Sequence, residues 1–168
     1  TKRGYTTSVR SCYGPRFSRL SIRRPWTVVM DDQLTQIPEG DYVLRFEFHE
    51  TKRIFKSEKI YLHFRIMNMG QHFEKPITGY YNCSIIGKPG RDGKFKAGWK
   101  SNLMREIVGL TGELPKRSDR LRLSPLKTML VLGRVENVTK TSAQRDIPEP
   151  LRYSIVRRLL KAHTGTLP

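Results

Sequence analysis

Flat rings set beside cations can grip an unpaired nucleic-acid strand, because the rings stack on bases while the cations follow the phosphates. This combination recurs along the chain. Tyr61, His63 and Arg65 alternate within one apolar run, and Tyr80 stands in the next. Lys94, Phe95 and Lys96 are consecutive in a glycine-rich stretch that also holds Lys88 and Arg91. Lys52 and Arg53 lie in a short charged turn, and Arg45 in the alternating run before it. Residues 1–24 carry Arg3, Arg10, Arg16, Arg23 and Arg24 with Tyr5, Tyr13 and Phe17 between them, and no acidic residue.

Each of these has a plainer role open to it. Tyr61 can be a cross-strand packing residue, and His63 a surface or paired histidine. Tyr80 and Tyr81 are neighbours on an extended chain, so one faces the core and the other is free to stack. Phe95, between two lysines, reads as a binding tip. Trp99 shares a helical stripe with Leu103 and Ile107 and reads as core.

The charge balance favours a polyanionic partner. The 168 residues include 32 Lys and Arg against 15 Asp and Glu, a net charge of +17. Each phosphate neutralised by such a surface releases a condensed counterion. No lipidation signal and no long basic amphipathic helix point to a membrane surface. No apolar run reaches membrane-spanning length. The two cysteines, Cys12 and Cys83, are far apart, which makes a reducing cytoplasm the expected compartment.

The residues of a catalytic or metal site do not assemble. His49, His63, His72 and His163 form no metal-ligand spacing with the cysteines. Asp31 and Asp32 are adjacent, and Glu47, Glu50, Glu58 and Glu74 follow no metal-site motif. The stretch from Gly87 to Lys94 lacks the Ser or Thr and the spacing of a phosphate loop. The expectation is a non-enzymatic protein without cofactor or metal. A nuclease built from scattered carboxylates is the enzymatic alternative, since spacing does not reveal site geometry.

The elements that must position these side chains are mostly strands. Residues 20–30 look strand-like, with Pro25 marking an edge or bulge. From Tyr42 to His49 the chain alternates, with Tyr42, Leu44, Phe46 and Phe48 on one face and Val43, Arg45, Glu47 and His49 on the other. Residues 60–67 repeat the pattern with Ile60, Leu62, Phe64 and Ile66 inward. A third strand covers about 78–86. Residues 87–98 form a loop, and a helix is expected over about 99–110. A further strand runs from 126 or 127 to 138, where Gly133 predicts a bulge or bend. Residues 149–163 show Leu151, Ile155 and Leu159 at helical spacing, flanked by Arg152, Arg157, Arg158 and Lys161.

This order predicts a mainly β protein: a small barrel of the OB-fold kind, with a helix between strands 3 and 4 and a second helix at the C-terminus. Three segments follow, a basic arm over 1–24, the barrel over 25–140, and a connection with a basic amphipathic helix over 141–168.

The run from Pro38 through Gly40 and Tyr42 to Phe48 resembles the opening strand of small single-stranded-DNA-binding proteins of phages and plasmids. The likeness continues through residues 60–66, the helix ending near Gly112, and residues 127–138. The basic arm and C-terminal segment depart from it. The resemblance implies an OB-fold that binds single-stranded DNA in replication, recombination or transfer of a mobile element. An RNA-binding or ribonucleoprotein subunit is the first alternative. A structural protein whose basic face meets an acidic protein is the second.

Overall fold

The computed structural model describes residues 36–163. The strand-like segment at 20–30, Cys12 and the basic arm, with Arg3, Arg10, Arg16, Arg23 and Arg24, lie outside the described residues.

The period-two runs become long antiparallel strands. Strand β1 is Gly40–Ile54 and β2 is Ser57–Ile66, joined by a two-residue turn at Phe55 and Lys56. Strand β3, Pro76–Asn82, pairs with β2. Ile60, Leu62, Phe64 and Ile66 are wholly buried, as their alternation demands. Three two-residue strands follow, β4 (Ser84–Ile85), β5 (Gly90–Arg91) and β6 (Phe95–Lys96). β5 adds to the edge of β1, while β4 and β6 pair with each other.

Helix α1 is Asn102–Thr111. Ser101 caps its start by accepting from the Met104 amide at 3.2 Å, and Gly112 ends it in the left-handed conformation. Leu103, Met104, Ile107 and Leu110 face the core. The helix therefore begins after Trp99, which lies outside its stripe. Half of Trp99 is exposed (50 %), contrary to the core role its spacing suggested.

After a 3-10 turn at Ser124–Lys127, strand β7 covers Leu130–Val138. The expected C-terminal helix is instead strand β8, Tyr153–His163, antiparallel to β7. The β7–β8 register shifts twice, between Leu132 and Gly133 and between Arg134 and Val135. Each shift leaves one β8 residue unmatched, Leu160 and Arg157. The buried residues Val156 and Leu159 are thereby three apart, a spacing that a regular strand would not allow on one face. Leu151 is exposed and Ile155 only half-buried, so the expected stripe of Leu151, Ile155 and Leu159 is not an apolar face.

Five strands close on themselves in the order β1, β2, β3, β8, β7 and back to β1. All neighbours are antiparallel except β3 and β8, which run parallel. That seam is thin, a single bridge at Gly79 and Val156. A side chain at Gly79 would begin 3.3 Å from the Val156 carbonyl, a tight contact that glycine avoids where the strands meet. The ring is therefore not a regular barrel. Helix α1 lies between β3 and β7 in sequence and packs on β8, where Glu106 accepts from the Tyr81 hydroxyl at 2.7 Å and the Leu159 amide at 3.0 Å. The core lies inside the ring, around Leu44, Phe46, Phe64, Leu103, Ile107, Val131 and Val156.

Candidate nucleic-acid interface

A bulge in β1 shapes the outer face. The β1–β2 register shifts between Phe46 and Phe48, so strict alternation fails at Glu47. Before the bulge, Phe46 pairs with Phe64 inside. After it, Phe48 pairs with His63, which has moved Phe48 out of the core face assigned by its spacing. His49 turns the other way. It packs edge-on to Phe95 with ring centres 5.5 Å apart and lies 3.4 Å from Asp92.

The outer face of β1, β2 and β3 then gathers Lys52, Tyr61, His63, Arg65 and Tyr80, joined by Arg91 from β5. The Phe48 and His63 rings stack at 4.4 Å, and the Arg91 guanidinium lies over Phe48 at 4.1 Å. Tyr61 meets Tyr80 edge to face at 4.8 Å, with the Lys52 ammonium 5.1 Å from its centre. Cations over ring faces in this manner are held electrostatically by the ring quadrupole.

Most of these groups are already engaged. Tyr61 is only 9 % exposed, covered by Tyr80 and Lys52, so the packing role holds for it. Lys52 pairs with Glu50 at 2.8 Å, Arg53 with Glu58 at 2.6 Å, and Arg65 with Glu47. His63 shares a hydrogen bond of 3.2 Å with the Thr78 hydroxyl. Burial pushes the His63 imidazolium below its ordinary range, against the opposing pull of Glu50.

Tyr80 differs from its neighbours. It is 41 % exposed while Tyr81, next to it, is buried, as adjacency on a strand requires. Burial of its hydroxyl end, reinforced by Tyr153 and Tyr61, pushes its pKa up to about 12. The ring therefore carries no negative charge that would repel a phosphate.

Tyr80 also stands between two clefts opened by the thin β3–β8 seam. One, of about 220 Å³, is lined by His63, Pro76, Thr78 and Tyr153. The other, of about 430 Å³, is lined by Lys59, Asn82, Lys100, Asn102 and Arg157. A third hollow adjoining the second reaches Arg158. Lys59, Lys100 and Arg158 make no ion pair with any described residue.

The remaining sequence candidates fall elsewhere. Arg45 is exposed on the outer face opposite Arg65. Lys88, Lys94 and Lys96 are exposed in the segment between β3 and α1. Phe95 is not a binding tip: it is buried, because β6 turns it inward against His49. Sequence reasoning missed Phe48, Tyr153, Lys59, Lys100 and the exposed Trp99. The β1 bulge and the thin seam bring Phe48, Tyr153, Lys59 and Lys100 to this face, and neither leaves a periodic trace. Among the described residues no three His, Cys, Asp or Glu side chains gather to hold a metal ion. No helix among them is long and apolar enough to cross a membrane. The chain matches no protein-family model, no curated protein and no solved structure.

Proposed function

We propose that this protein binds single-stranded DNA without catalysing a reaction, through an OB-fold-like ring of strands. Support for the fold reading comes from the strand order, the parallel pairing of the third and fifth ring strands, and the helix between the third and fourth.

The observation that carries the functional reading is Tyr80. It is an exposed, uncharged ring between two clefts, and one cleft is bordered by Lys59 and Lys100, neither ion-paired with a described residue. One ring to accept a base and a row of cations to follow the backbone are what binding of an unpaired strand requires. Stacking within a duplex buries the base faces that Tyr80 would use, so the geometry favours unpaired strands over duplex. The net charge of +17 supports a polyanionic partner in general, and the seam makes it specific.

The test is an equilibrium titration of single-stranded DNA, duplex DNA and RNA of equal length at two salt concentrations. A preference for the DNA single strand that persists at the higher salt is expected. Equal, weak and steeply salt-sensitive binding to all three would reduce the surface to a generic polycation. A preference for RNA would replace DNA as the ligand.

A further inference from the structure

The turn between β1 and β2 carries a side chain that the turn does not want. Phe55 is the first of its two residues and has φ +52°. Two-residue hairpin turns place Gly or Asn there, because a larger side chain is strained at positive φ. Phe55 is nonetheless 97 % exposed, more than any other large apolar side chain among the described residues. It thus contributes nothing to a core in return for that strain.

The support beneath it is firm. The ladder persists to the Ile54–Ser57 pair, and the Ser57 hydroxyl donates to the Ile54 carbonyl at 3.0 Å. Glu58 clamps the base, accepting from Arg53 at 2.6 Å and from the Ile85 amide at 2.8 Å. Residues 52–57 are all exposed, so the tip projects from the body. Of the cations beside it in the chain, Lys56 makes no ion pair with a described residue, while Lys52 pairs with Glu50 and Arg53 with Glu58.

We infer that Phe55 is a wedge for duplex DNA: it seats against the base step where a duplex borders the single strand. This rests on the single-strand reading above. An apolar side chain on a rigid two-stranded arm can enter a base step and unstack it, while cations on the arm hold the flanking phosphates. From Glu50, opposite Tyr61, to Phe55 is five residues, roughly 16 Å of strand. The tip is therefore displaced from the Tyr80 face and reaches a neighbouring part of the same nucleic acid. The ligand class is a single-strand–duplex junction.

The experiment compares a plain single strand with the same strand carrying a duplex at one end. The proteins are wild type, Phe55→Asn and Phe55→Trp. Wild type and Phe55→Trp should bind the tailed duplex about tenfold more tightly than the plain strand, in line with one stacked ring. Phe55→Asn should lose that preference, keep its affinity for the plain strand within about twofold, and melt no lower than wild type. A 2-aminopurine at the first base pair of the duplex should brighten with wild type and stay dim with Phe55→Asn. No binding to the plain strand by wild type would overturn the function proposed above. Binding to it without a preference for the tailed duplex would overturn the wedge alone. Equal loss on both ligands, or a lower melting temperature in Phe55→Asn, would overturn it as well.

Discussion

Tyr61 and Tyr80 are alike in type and lie across one rung of the β2–β3 ladder, yet they do different work. Tyr61 is covered by its neighbours, and Tyr80 presents its ring to solvent. Tyr80→Ala should therefore weaken single-strand binding by about 1–3 kcal/mol while the fold stays intact, measured by fluorescence anisotropy. Tyr61→Ala should instead cost stability, about 3 kcal/mol, read from urea unfolding. His63 gives a pH signature. Its folded-state pKa lies below that of the unfolded chain, because burial disfavours the imidazolium. The unfolded chain takes up this proton first, so stability is lost as pH falls below about 6.5. His63→Gln should flatten the fall in melting temperature between about pH 6.5 and pH 5. An unchanged pH profile would show that His63 takes up its proton over the same pH range in the folded and unfolded chain.

At the scale of elements, β8 decides whether the ring closes, and its residues tie in both neighbours. The Ser154 hydroxyl accepts from the Ile37 amide at 2.7 Å and donates to the Asn137 side-chain Oδ1 at 2.5 Å, so it joins the lead into β1 with the end of β7. Ser154→Ala leaves the Ile37 amide without that partner and should destabilise by about 1–3 kcal/mol in chemical denaturation. Strand β8 is also where the sequence misleads most. The four-residue spacing of Leu151, Ile155 and Leu159 reads as a helical face but skips Val156, which is buried with Leu159 because Arg157 is an unmatched bulge residue between them. The bulge at Glu47 likewise hides that Phe48 leaves the core side. By contrast, β2 has no irregularity, and its four inward residues were legible from alternation alone. Gly133 announced its own bend: a Cβ there would start 2.5 Å from Leu44, and the register shifts beside it. Regular strands and the capped helix are thus local properties. Bulges, the seam and the clefts depend on which strands meet, which a single run of residues does not encode.

For the whole molecule, the surplus positive charge is not spread evenly in effect. Lys52, Arg53, Arg65 and Arg134 are each paired with a carboxylate, and such exposed pairs mute their reach. Lys59, Lys100 and Arg158, which border the second cleft and its extension, keep theirs, while Arg157 beside them pairs with Glu136. Removing Lys100 or Arg158 should lower the slope of log affinity against log salt by about 0.7 each for a single strand. Arg53→Ala, in a pair with Glu58, should change it less. If all three substitutions reduce the slope equally, the seam holds no privileged path for phosphates. The most direct measurement is photocrosslinking of a single strand substituted with 5-iodouracil, followed by peptide mapping. The account predicts a crosslink to Tyr80, with any further crosslinks on residues bordering the same clefts. Crosslinks confined to residues outside β3, β8 and the start of α1 would contradict it.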